Sequence, residues 1–158
     1  MTSSPNKISH TGRILALDWG TVRVGAAISD PGRSLASPFD TFPAKPLAEL
    51  LNRLRKIVTR EEISLIVVGL PVNMDGSEGK SAQKAREFAN EVGEQLGVPV
   101  ECVDERLSSF SAEQTLISIG RKPSKDKGRV DRVAATLFLQ EYLDSLNNKY
   151  PADADQPL

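Results

Sequence analysis

The order of elements along this chain predicts an α/β fold. We expect a mixed five-stranded sheet, a three-strand antiparallel meander plus two parallel strands, flanked by helices. Three observations predict it. The chain opens with short strand-like runs separated by turn signals. Ile63 to Leu70 is nearly all apolar, as a parallel strand covered on both faces should be. From Pro46 onward, runs of helical period alternate with strand-like runs.

Taken in order, Arg13 to Leu17 reads as a strand running into Asp18, with Gly20-Thr21 as a tight turn. Val22 to Ser29 reads as the returning strand, with Val22, Val24, Ala26 and Ile28 on one buried face. Asp30-Pro31-Gly32-Arg33 is a turn signal, and Ser34 to Thr41 completes the meander. Pro46 suits the first turn of a helix carrying Leu47, Leu50, Leu51, Leu54, Ile57 and Val58 at helical spacing. After Ile63 to Leu70, residues 71 to 79 form a loop. Ala82, Ala85, Phe88, Ala89, Val92 and Leu96 mark the next helix, which Gly97 and Pro99 end. Val98 to Val103 is a further strand. Ser108 or Ser109 can cap a short helix through Ile119, which Gly120 can close. Arg121 to Arg129 is a basic loop, and Val130 to about Leu146 is the last helix. We expect residues 1–11 as a disordered lead-in, 12–147 as one domain and 148–158 as a flexible tail.

Composition narrows the chemistry. With 158 residues the chain can bury a real core. A hydrophobic fraction of 39% and a charged fraction of 26% fit a soluble globular protein. Net charge is −1, so attraction to phosphate has to come from local patches. Cys102 is the single cysteine, which excludes an internal disulfide and permits a reducing cytoplasm, the expected location. Its apolar surroundings mark it as a small buried hydrophobe rather than a nucleophile. The lone histidine, His10, lies in the polar lead-in, which argues against serine- or cysteine-type triads and against zinc. No run approaches the roughly 20 apolar residues of a membrane helix, and the N-terminus lacks the apolar centre of a secretory signal.

Three acids sit at the ends of elements. Asp18 closes a strand beside a glycine turn that would let a metal or phosphate approach the backbone; it equally suits stabilising that turn. Thr21, in the same turn, is a candidate substrate contact, and Trp19 suits either base stacking or packing. Asp104-Glu105-Arg106 reads as an ion-pair network or as a metal-and-phosphate site, with Arg106 suited to grip two phosphate oxygens. Alternation puts Asp104 and Glu105 on opposite faces, so at most one shares the crevice of Asp18; we favour Glu105. Asp131 at the start of the last helix is explained by the helix dipole alone. Its context adds Arg121, Lys122, Lys125, Lys127, Arg129 and Arg132 against only Asp126 and Asp131, a pattern of a solvated loop or of a phosphate-backbone binder. In the loop after Leu70, Asn73, Asp75 and Ser77 could contact substrate, though Asp75-Gly76 is also an ordinary turn pair. No Walker-type Gly-Lys-Ser/Thr is present. Carboxylates at neighbouring element ends can converge on a hard divalent cation such as Mg²⁺.

Four segments taken together are specific. Leu17-Asp18-Trp19-Gly20-Thr21, Val68 to Gly76, Asp104-Glu105-Arg106-Leu107-Ser108-Ser109 and Val130-Asp131-Arg132-Val133-Ala134-Ala135 resemble the YqgF (RuvX) family in order and spacing, across about Arg13 to Leu146. The resemblance implies an RNase H-like fold related to Holliday-junction resolvases. It also implies a nuclease that processes the 5′ end of precursor 16S rRNA. The family's acids fall on Asp18, Glu105 and Asp131, which would hold Mg²⁺ or Mn²⁺. Trp19 stands where phenylalanine is usual. The middle acid of the related resolvases follows the fourth strand, where this chain has Gly69-Leu70-Pro71, whereas Glu105 follows the fifth.

The expected activity is therefore metal-dependent endonucleolytic cleavage of structured RNA, with Arg106, Lys127, Arg129 and Arg132 positioning phosphates. Asn73 and Asp75 would shape the crevice. Two other readings stay open: resolution of four-way, branched DNA by a homodimer, and non-catalytic RNA binding in ribosome assembly. Membrane partners are not expected.

Overall fold

The computed structural model describes residues 11–71, 75, 77–104 and 127–149. The expected helix over 108–119 and the basic residues 121–126 lie outside them. The strands are β1 (Arg13–Trp19), β2 (Arg23–Ser29), β3 (Ala36–Pro43), β4 (Ile63–Leu70) and β5 (Val100–Asp104). The helices are α1 (Leu47–Arg60), α2 (Lys80–Leu96) and α3 (Lys127–Lys149). The sheet order is β3-β2-β1-β4-β5. β1, β2 and β3 pair antiparallel, and β4 and β5 add in parallel, so the mixed sheet expected above is the one observed.

Each boundary has a local cause. β3 lies at the sheet edge, where Pro38 can be tolerated, and Phe39 is the extra residue of a bulge between the pairs Ala26–Asp40 and Ala27–Pro38. Gly97 ends α2 in the left-handed conformation, at φ 69°, and donates its N–H to Gly93. The Asp30 carboxylate accepts the N–H groups of Ser34 and Leu35 at 2.8 and 2.9 Å, which closes the β2–β3 turn and holds the carboxyl below its usual range. In the same turn Arg33 takes a positive φ of 58°. Its guanidinium donates to the carbonyls of Thr11 and Gly12 and to the Ser64 hydroxyl, which anchors that conformation.

Helices cover both faces. On one, α1 and α2 pack Leu50, Leu54, Ile57, Phe88 and Val92 onto Leu15, Leu17, Val24, Ala26, Ile66 and Val68. On the other, α3 packs Ala135, Phe138, Leu139 and Leu143 onto Ile14, Ala16, Ala27, Leu65 and Val67. Gln140 ties α3 to the sheet edge: its side-chain oxygen accepts the Ala36 N–H and its nitrogen donates to the Ser34 carbonyl. Tyr142 donates its hydroxyl to the Glu101 carboxylate of β5, and burial, then Glu101, pushes the phenol's pKa up.

Two expectations change. β2 does not alternate between a buried and a wet face, because Ala27 is as buried as Ala26; the strand lies between β1 and β3 beneath helices on both sides. Val22, expected on the buried face, precedes the strand and is 66% exposed. α3 begins three residues before Val130 and ends three after Leu146, since an apolar period marks only the packed part of a helix.

Candidate active site

The site is built on one row of residues across the sheet. Hydrogen-bond register aligns Thr41 of β3, Gly25 of β2, Asp18 of β1, Gly69 of β4 and Val103 of β5. Directly opposed residues point to the same face. For this row that is the α3 face, because Ile14 and Ala16 share the parity of Asp18 and pack under α3. Asp18 therefore projects between two neighbours that have no side chains. Trp19, of opposite parity, packs against the α1/α2 core.

Gly25 is what lets α3 reach Asp18. A Cβ built on Gly25 would lie 2.4 Å from the backbone carbonyl of Asp131 and 2.6 Å from the Asp131 Cβ. Any side chain there would drive the helix off the sheet. Opposed Cβ positions in an antiparallel pair are about 5 Å apart, so the Cβ atoms of Asp18 and Asp131 come within roughly 8 Å. Two carboxylates 113 positions apart in sequence thus lie near one another on one face, at the C-terminal ends of β1 and β4. Asp131 lies in the second turn of α3, because the helix starts at Lys127. A dipole role confined to the first turn does not account for it.

Asp131 is held by a residue the sequence reading passed over. Arg23 shares the parity of Gly25, and its Nε donates to the Asp131 carboxylate at 2.9 Å. Burial pushes the Asp131 carboxyl up, opposed by the hydrogen bond and charge of Arg23 and by the charge of Arg132. The alternation of β2 carried the signal: an arginine two residues before a strand glycine shares its face. Arg132 donates to the Thr41 hydroxyl at 2.9 Å, which seats the start of α3 on the far end of the same row.

The remaining candidates are placed as follows. Thr21 is exposed in the β1–β2 turn. Asp75 is exposed beyond β4 and accepts the N–H and hydroxyl of Ser77 at 2.9 and 2.6 Å, an Asx-type turn. Asp104 has the parity of Cys102, which packs on the α1/α2 side, so Asp104 belongs to the face away from Asp18. Cys102 is half-buried there, and burial raises its thiol pKa, in keeping with a packing role. Glu105, Arg106 and Asn73 lie outside the described residues, as do the side chains of Lys127 and Arg129. Among the described residues no three acidic, histidine or cysteine side chains form a metal cluster. None of the described helices is long and apolar enough to cross a membrane.

A crevice with two carboxylates, one of them gripped by an arginine, offers hard oxygen donors. That donor set suits a divalent cation of the Mg²⁺ class and not a thiophilic metal.

Residues 12–145 match the model of a family described as "RuvX: Holliday junction resolvase". A protein of Roseiflexus sp. named "Putative pre-16S rRNA nuclease" is 40% identical over 137 residues, covering 87% of this chain and 97% of the relative. One of the same name from Acidiphilium cryptum is 37% identical over 153 residues, 97% of each chain. Among solved structures, Thermus thermophilus RuvC in complex with a Holliday junction substrate superposes with a TM-score of 0.53 at 12% identity, over 89% of this chain and 96% of that one. The fowlpox virus Holliday junction resolvase superposes with a TM-score of 0.52 at 14% identity, over 85% and 99%. At such identities these two establish a shared fold: the RNase H-like sheet of the RuvC resolvases.

Proposed function

Since the chain belongs to the RuvX family and is a nuclease of the phosphodiester-hydrolase class, we propose that it is a divalent-metal-dependent endonuclease that processes the 5′ end of precursor 16S rRNA. The observation that carries this reading is the convergence of Asp18 and Asp131 above Gly25. The names of the curated relatives supply the RNA substrate. Solved neighbours act on branched DNA, but the relatives that cover most of this chain carry the rRNA name, which favours RNA over a four-way junction.

Asp18 and Asp131 would hold Mg²⁺ or Mn²⁺, with Glu105 as third ligand. Asp104 has the parity of the opposite face, which leaves Glu105 as the candidate of that pair. A bound ion of this kind polarises the scissile phosphate and lowers the pKa of the attacking water. The chain's own part is positioning. Gly25 lets α3 bring Asp131 up to the face of Asp18, Arg23 fixes one oxygen of Asp131, and Arg132 seats α3 through Thr41. Arg106, Lys127 and Arg129 would contact the phosphate backbone, and Thr21, Asn73 and Asp75 the flanking nucleotides.

The test is cleavage of a precursor 16S 5′ leader with Mn²⁺, Mg²⁺ or chelator, beside Asp18→Asn. Cleavage should require the ion, and Asp18→Asn should lose at least about a hundredfold, as removal of a charge-stabilising group does elsewhere. Undiminished cutting by a folded Asp18→Asn protein would sink the metal site. Cutting of four-way DNA alone would move the substrate to branched DNA.

A further inference from the structure

Trp19 directly follows Asp18 and turns to the opposite face of the sheet, where it lines a groove of about 360 Å³ with Thr21, the cations of Lys45 and Lys84, the carboxylates of Glu87 and Glu91, and Phe88. That volume is in the lower range of small-ligand sites. The groove opens at the same end of β1 as the carboxylate crevice. Asp18 and Trp19 are consecutive and face opposite sides, so the carboxylates and the groove flank the same end of β1.

Three features of the groove go unused by the fold. The Trp19 indole is half-buried, with its body against the α1/α2 core and part of its surface left to the groove. Lys45 and Lys84 form no ion pair among the described residues. One carboxylate oxygen of Glu91 is buried with no hydrogen-bond partner among the described residues. A buried, unpartnered carboxylate oxygen is costly, and a rotation that brings it to the groove would let a donor there relieve that cost. The terminal torsion of a glutamate is soft enough to turn either oxygen toward such a donor. Lys84, Phe88 and Glu91 share one face of α2 at helical spacing, so cation, apolar wall and acceptor are presented together.

We propose that this groove takes an unpaired guanine of the substrate RNA, stacked on the Trp19 indole, with its amine edge donating to Glu91 and its phosphates beside Lys45 and Lys84. The assignment rests on the nuclease reading for the identity of the polymer. Stacking on an aromatic ring accepts any base and contributes about 1–3 kcal/mol per base. The carboxylate adds selection. It accepts only, so it matches bases that present N–H donors without a neighbouring carbonyl on both sides, and guanine offers two adjacent donors, the ring N1–H and the amine N2–H₂. Uracil offers a single imide N–H between two carbonyls that a carboxylate repels.

Trp19 is the sole tryptophan of the chain, so its fluorescence lifetime reports occupancy of the groove directly. Two probes suffice: a short all-uridine oligoribonucleotide and the same oligomer with one central guanosine. Both are titrated in chelator and in the Asp18→Asn protein, so that neither cutting nor metal enters. The guanosine oligomer should shorten the lifetime at about tenfold lower concentration, within what one good base-edge contact discriminates. Glu91→Gln, nearly isosteric, should bring the two oligomers within about twofold. Lys84→Gln should weaken both alike and keep their ratio. Equal response to both oligomers, or a ratio untouched by Glu91→Gln, overturns the guanine site. If Asp18→Asn abolishes cleavage while guanine preference is missing, the groove fails alone. If the preference is present but Asp18→Asn cuts normally, the nuclease site fails and the groove stands.

Discussion

The two faces of the sheet are built differently. Under α1 and α2 the strands present Leu15, Leu17, Val24, Ile28, Phe42 and Ile66, and two helices answer with leucines, isoleucine and phenylalanine. Under α3 Ile14, Leu65 and Val67 are joined by the small residues Ala16, Gly25, Ala27 and Gly69, and a single described helix lies close against them. Among the described residues, seventeen buried side chains form the first core and nine the second. The difference teaches how this fold separates two tasks. One face supplies most of the apolar burial that stabilises it. The other gives up side-chain volume so that a helix can carry Asp131 up to Asp18.

The largest effect that would break this contrast is at Gly25. Gly25→Ala should lower cleavage about a hundredfold, the scale of displacing a catalytic group by an ångström. Overpacking against α3 should also cost about 1–3 kcal/mol of stability. Kinetics and chemical denaturation of the same preparation separate the two. Near-native cleavage would show that α3 does not position the chemistry.

The opposite face provides the converse. Leu54 is fully buried under the α1/α2 core, and Leu54→Ala should cost about 2–5 kcal/mol. Its rate per folded molecule should stay within about twofold of wild type. A loss of rate matching Gly25→Ala would mean that both faces tune the site.

A smaller effect sharpens the role of Arg23. Arg23→Gln keeps a donor near Asp131 but loses the charge, and supporting residues around metal ligands typically contribute about 10–100-fold. We expect roughly tenfold slower cleavage with little change in melting temperature. An unchanged rate would reduce Arg23 to a surface ion pair.

The smallest effect lies at the sheet's opposite end. Asp30 is only partly buried, and its carboxyl is held low by the N–H groups of Leu35 and Ser34. A lowered folded pKa adds stability above the ordinary aspartate value near pH 4, and that stability is lost as pH falls through the folded value. Asp30→Asn should therefore be less stable than wild type by under about 1 kcal/mol at neutral pH. The gap should close at acid pH, with cleavage at neutral pH unaltered. A gap that persists below that range would assign the effect to shape and not to charge.

Periodicity alone placed every described strand and helix to within a few residues, since apolar period and turn residues are local properties of the chain. It also drew attention to Asp18 and Asp131 at the ends of elements, and it set Asp104 and Glu105 on opposite faces without saying which of them shares the face of Asp18. It misjudged β2, whose two faces are both covered, because what covers a strand depends on helices far away in sequence. It passed over Arg23 and gave Gly25 no role, because both matter only where α3 crosses β2, more than a hundred residues on. The sequence by itself thus determined the order of elements, the parity of each strand and the acids at its ends. Which parity faces the helix that carries the partner acid was decided by the tertiary structure alone, since it depends on how closely two distant backbones approach, and at Gly25 that distance excludes even a methyl group.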